Sequence, residues 1–157
     1  MLFRSLYTNN RYQSHDLDFV TAERRQQLLA AVAPLGFVLA RDQRHFTHAD
    51  TELFLEFPAA PLGFGNRSVR HEDIPKLETP WGPLRIITPT QCVMDRLAAW
   101  WHWHDRPSCD QAVWVAASQT VDFDDLLRFA KEEGAPLGDI PKLRQQAEEE
   151  RTKNQEP

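Results

Sequence analysis

The rhythm of apolar and polar positions changes near Thr88. Before it, short stretches alternate with a period of two, as strands do; after it, apolar residues recur every three or four positions, as on helices. Leu2 to Thr8 predicts one or two helical turns, broken at Asn9 and Asn10. Asp16 to Val20 predicts a short strand. Thr21 to Ala33 predicts a helix capped by Thr21, with Leu28, Leu29, Val32 and Leu35 at helical spacing and Gly36 as its stop. Phe37 to Arg41 reads as a second strand, and "HFTHADTELFLEFP" as a strand pair joined near Ala49 and Asp50. In its second half Leu53, Leu55 and Phe57 face one side, and Glu52, Phe54 and Glu56 the other.

Pro58 and Pro61 end that run, and Gly63, Gly65 and Asn66 predict a loop. "IPKLETPWGPLRIIT" predicts a hairpin turning over Pro80 to Pro83. Thr88 caps a helix that starts at Pro89 and runs to about Asp105. Further helices are expected over roughly Ser108 to Ser118, Asp122 to Glu133 and Pro141 to Arg151, with a linker at Gly134, Pro136 and Gly138. The expected fold is therefore α+β: a mixed-sheet domain over residues 1–88, a helical segment packed on it over 89–151, and a frayed tail over 152–157. Val93, Leu97, Trp100 and Trp101 form a core stripe, and Trp103 falls off it.

Composition narrows the class. The chain has 157 residues, 41% hydrophobic and 26% charged, which fits one globular domain. No apolar run reaches the roughly 18 residues of a membrane span. No basic segment leads into an apolar one at the start, so a cytoplasmic protein without membrane partners is expected. Cys92 and Cys109 are expected as free thiols. A net charge of -5 argues against broad nucleic-acid binding and leaves room for a local patch. Arg67, Arg70 and His71, in the glycine-bearing loop, are candidates for such a nucleotide or RNA contact. His102 and His104 would project about 200° apart on one helix, which sets a shared zinc ion aside.

"SHDLDFV" carries the sharpest chemical signal. Asp16 and Asp18 lie on one side of a strand, roughly 7 Å apart, while Leu17 and Phe19 lie on the other. Glu56, between Leu55 and Phe57, is a third acid opposed to its apolar neighbours. If the two strands pair, the three carboxylates converge. Hard oxygen donors of this kind suit magnesium or manganese.

This order of acids resembles the nucleotidyltransferase superfamily related to polymerase beta, and within it the stand-alone bacterial toxins of the abortive-infection type. The resemblance covers residues 11 to about 118. It implies Asp16, Asp18 and Glu56 as metal ligands and catalytic acids for Mg2+ or Mn2+. Arg11 and Ser14 in "RYQSHDLDFV" match the group's arginine and hydroxyl residue, and Arg96 falls where a phosphate-binding lysine is usual. Arg106 and Asp110 fall on a later arginine and aspartate.

The family's glycine turn, about ten residues before Asp16, has no counterpart in "MLFRSLY", where Ser5 is the small residue. The turn is expected either upstream of Met1, in a domain whose recorded start is short, or not at all, in a degenerate one. The implied activity is transfer of a nucleoside monophosphate from a nucleoside triphosphate to an acceptor such as a tRNA end or a protein hydroxyl, with a cognate antitoxin as a further partner. The alternative is a degenerate nucleotidyltransferase-fold domain that works by binding a protein or nucleic acid.

Overall fold

The computed structural model describes the backbone of residues 2–154 and the side chains from Ser5 onward. The fold is α+β, with three small sheets and six α-helices among the described residues. Helix α1 (Leu2–Tyr7) ends where Asn9 and Asn10 take φ of 50° and 62°. Asparagine tolerates this left-handed region better than most side chains do.

A four-stranded sheet follows, in the order β1-β4-β3-β2. Its strands are β1 (Asp16–Asp18), β2 (Val38–Leu39), β3 (His45–His48) and β4 (Thr51–Glu56). β1 runs parallel to β4; the other pairs are antiparallel. The parallel pair needs a crossover, and helix α2 (Arg25–Val32) lies in the connection after β1. Alternation along the strands sends Leu17, Leu55 and Phe46 to one face. There they meet Val32, Leu28 and Phe37 in a small core. The opposite face receives Asp16, Asp18, Phe54, Glu56 and His45.

The helix expected from Thr21 begins four residues later. The Thr21 backbone bridges Ala59, its N–H donating to the Pro58 carbonyl at 3.1 Å and its carbonyl accepting from Ala60 at 3.0 Å. That pairing extends the β1–β4 ladder and holds residues 19–22 out of helical geometry. Arg24 takes the cap position, and the Gln27 side chain accepts from its N–H. Gly36, at φ 86°, ends the following 3-10 turn as expected.

The stretch expected as a loop over Gly63 to Asn66 is a hairpin, β5 (Leu62–Phe64) with β6 (Arg67–Val69). β7 (Lys76–Thr79) and β8 (Gly82–Arg85) form the next hairpin, with Trp81 at its turn 94% exposed. Four helices complete the chain: α3 (Pro89–Trp103), α4 (Arg106–Ser118), α5 (Phe123–Glu132) and α6 (Asp139–Lys153). Thr88 and Gln91 form a reciprocal capping box at the start of α3. His104, at φ 54°, turns the chain between α3 and α4.

The larger core joins these helices through Val93, Leu97, Val115, Leu126, Phe129, Ile140 and Leu143. Trp100 and Trp101 pack against it, and Trp103 is 73% exposed. Phe64, Leu62 and Val69 of the β5–β6 hairpin, and Tyr7 of α1, belong to the same core. The packing therefore crosses the boundary expected at residue 88. Tyr7 also donates its hydroxyl to the Ile87 carbonyl at 2.5 Å, and burial pushes the phenol pKa up. Cys92 and Cys109 are free thiols. Among the described residues no helix is long and apolar enough to cross a membrane.

Candidate active site

Parallel pairing of β1 with β4 fixes the acidic face. Asp16 lies opposite Phe54, Leu17 opposite Leu55 and Asp18 opposite Glu56. Directly opposed residues of neighbouring strands point to the same side, so the Asp18 and Glu56 carboxylates are neighbours, with Asp16 one pleat away. The ladder holds this register through the Phe19 N–H to the Glu56 carbonyl and the Phe54 N–H to the His15 carbonyl, both 2.9 Å. All three acids are half-buried. The Ser14 hydroxyl accepts the Asp16 N–H at 3.4 Å, so its described role is at the entrance of β1.

Glu56 is engaged. The Arg44 Nε donates to its Oε1 at 2.5 Å, and His45 Nε2 lies 3.5 Å from its Oε2. Both residues sit at the β2–β3 turn, where Asp42 organises them. Its Oδ1 accepts the backbone N–H groups of Arg44 and His45 at 2.9 and 3.1 Å, and its Oδ2 meets His45 Nδ1 at 2.6 Å. The Arg44 N–H first, and then the His45 ring and N–H, hold the Asp42 carboxyl well below the usual carboxylate range. The same Asp42 contact raises the His45 imidazole pKa, and Glu56 adds to that rise.

The donor types of the acidic face suit a hard divalent cation. Their present arrangement does not: among the described residues no three His, Cys, Asp or Glu side chains are grouped to hold a metal ion. Glu56 already has Arg44 as a positive partner.

At the carboxyl end of β1 a cavity of about 450 Å³ opens beside Asp18. Its walls are mainly apolar, from Leu17, Leu62, Phe64 and Ile87, and Asp95 and Arg85 are its other charged residues. The Arg85 Nη1 donates to the Ile74 carbonyl at 2.5 Å. Sequence reasoning missed Asp95 and Arg85. Neither lies in an acid-apolar-acid pattern, and only the folded chain brings them to the cavity that Asp18 also lines.

The other expected contacts have internal partners. Arg96 is buried, with Nε and Nη2 on Asp95 Oδ2 at 3.0 and 2.6 Å and Nη1 on the Ser108 hydroxyl at 3.0 Å. It joins α3 to α4. Arg11 pairs with Glu150 on α6, and its guanidinium lies 4.6 Å from the centre of a Trp114 ring. Ser5 lies in α1, where its carbonyl accepts the Asn10 N–H at 2.8 Å. Arg106 and Asp110 line a separate groove of about 610 Å³ between α4 and α6.

Of Arg67, Arg70 and His71, expected as a nucleotide or RNA contact, the two arginines have carboxylate partners within the chain. Arg67 bonds Glu132 and Asp125 across the hairpin–helix boundary and lies over Phe129. Arg70 is held by Asp73. His102 meets Glu133, not His104 or Cys109.

No protein-family model, curated protein or solved structure gives a significant match to this chain.

Proposed function

We propose that the chain is a nucleotidyltransferase-type domain whose working face carries Asp16, Asp18 and Glu56. The observation that supports this reading is the in-register placement of Asp18 beside Glu56 on parallel strands, with Asp16 on the same face. Two strands far apart in sequence each contribute acids to one surface, beside a cavity roomy enough for a small acceptor or a side chain.

In the proposed reaction an acceptor oxygen attacks the α-phosphorus of a nucleoside triphosphate. The new P–O bond forms as the bond to the bridging oxygen of the β-phosphate breaks, and pyrophosphate leaves. The acceptor proton passes to a carboxylate of the acidic face. A tRNA end and a protein hydroxyl both supply such an oxygen, and a cognate antitoxin would act by covering this face. Mg2+ or Mn2+ belongs to the proposal, and Asp16, Asp18 and Glu56 are the residues that would hold it.

A second reading, a partner-binding domain of the same fold, draws support from the engagement of Glu56 by Arg44 and His45. One experiment separates the two. Purified protein is incubated with Mn2+ and each of the four α-labelled triphosphates, in the presence of bulk tRNA or cell protein, and label transfer is followed together with the melting temperature. The enzyme reading expects a metal-dependent rise in melting temperature, and transfer of label from at least one triphosphate, both lost in Asp18→Ala. Absence of both responses in a folded protein leaves the binding-domain reading.

A further inference from the structure

The cavity of about 450 Å³ at the end of β1 contains a cation that the proposed reaction does not use. Arg85, the last residue of β8, is half-buried in its wall. Its Nη1 donates to the Ile74 carbonyl, which fixes the guanidinium at the foot of the β7–β8 hairpin. Among the described residues Arg85 has no carboxylate partner, although Asp18 and Asp95 line the same cavity. Asp95 is taken up by Arg96, whose Nε and Nη2 both donate to its Oδ2. Arg85 thereby differs from Arg44, Arg67, Arg70 and Arg96, each of which meets a carboxylate of the chain. A partly buried charge without a counter-ion is unfavourable, and an anion bound from solvent relieves it. The walls around it are apolar, from Leu62, Phe64, Leu84 and Ile87 among others.

We infer that this cavity binds a small monocarboxylate with an apolar body, its carboxylate on Arg85 and its body against Leu62, Phe64 and Ile87. The volume lies within the range of roughly 300–1,000 Å³ usual for small-molecule sites. With Nη1 on the Ile74 carbonyl, the guanidinium still has donors on Nε and Nη2, and a guanidinium fork matches the two oxygens of a carboxylate. Asp18 and Asp95 on the same walls repel a second negative charge, which selects a carboxylate over a phosphate dianion. The inference goes beyond nucleotide transfer and does not depend on it.

The test is isothermal titration calorimetry without metal or nucleotide, using butanoate, hexanoate, octanoate, octanol and octyl phosphate. The unaltered chain should bind octanoate with a stoichiometry of about one, and affinity should rise about threefold for each added methylene that is buried. Octanol, which has the same body without the charge, should bind about tenfold more weakly or worse. Arg85→Gln, shown by its melting curve to be folded, should bring octanoate down to the level of octanol, and Arg85→Lys should recover part of the difference. The comparison of acid with alcohol uses the unaltered chain, so it decides the matter even if the variants do not fold. Equal binding of octanoate and octanol, octanoate binding untouched in Arg85→Gln, or no saturable binding of any acid would overturn the site. Tighter binding of octyl phosphate than of octanoate would overturn the choice of carboxylate. None of these failures bears on the transfer reaction, which is read from label and metal instead.

Discussion

Glu133 accepts both the backbone N–H of Asn66, at 2.7 Å on Oε1, and the Asn66 side-chain amide, at 3.1 Å on Oε2. A carboxylate at the end of α5 thereby holds the tip of the β5–β6 hairpin, 67 residues earlier in the chain. Its side chain is fully covered, and His102 Nε2 sits 2.7 Å from the same Oε2. Gly65 makes the approach possible: a Cβ there would lie 2.2 Å from Oε2, and its φ is +54°.

Replacing Glu133 by alanine removes the charged acceptor of both Asn66 donors and should cost about 1–2 kcal/mol. Gly65→Ala meets both the left-handed backbone and the carboxylate, and should cost about 1–3 kcal/mol. Urea unfolding monitored by tryptophan fluorescence measures both. Losses below about 0.5 kcal/mol would mean that the hairpin is not anchored through this contact.

Arg96 separates a structural role from a nucleotide-binding one. Its guanidinium is buried between Asp95 and Ser108, so truncation strands a half-buried carboxylate and a hydroxyl. Arg96→Ala should destabilise the chain by about 3 kcal/mol, whereas Arg96→Lys, which keeps the charge but loses the planar fork, should recover only part of that. Full stability in Arg96→Ala, with weakened triphosphate binding, would instead assign the side chain to phosphate.

The Asp42–His45 pair gives a pH signature. His45 titrates above its ordinary value of about 6.5 because Asp42 favours the imidazolium, so its contribution is present in full below about pH 6.5 and fades as pH rises through the folded value. Asp42 works in the other direction. Its depressed pKa makes its contribution complete above about pH 4, and acid removes it. Proton NMR should find the His45 ring titrating above 6.5, and Asp42→Asn should bring it back toward that value. A His45 titration unchanged by Asp42→Asn would show that the contact does not persist in solution.

The strands and helices were legible wherever a local rule acted alone. The Thr88 cap, the Pro80 to Pro83 turn, the stop at Gly36 and the stripe from Val93 to Trp101 depend on residues within a few positions of one another. Local rules failed where a distant segment competed. Thr21 had cap chemistry, yet pairing with residues 58–60 kept it extended. Gly63 to Asn66 had loop composition, yet Phe64 and Leu62 joined the helical core and Glu133 fixed the tip.

For the site, the sequence by itself determined that Asp16, Asp18 and Glu56 oppose their apolar neighbours, because strand alternation is a property of the backbone. It also determined the α+β order of strands before helices. Only the tertiary structure decided that β1 lies parallel to β4 with Asp18 opposite Glu56, and that Asp95 and Arg85 border the adjoining cavity. It also gave Glu56 to Arg44 and His45, and turned Arg96 and Arg67 into ties between elements. The physical reason is the range of the forces. Alternation and capping act over a few residues, whereas the partner of a long charged side chain is whichever opposite charge the packed chain brings within a few ångströms.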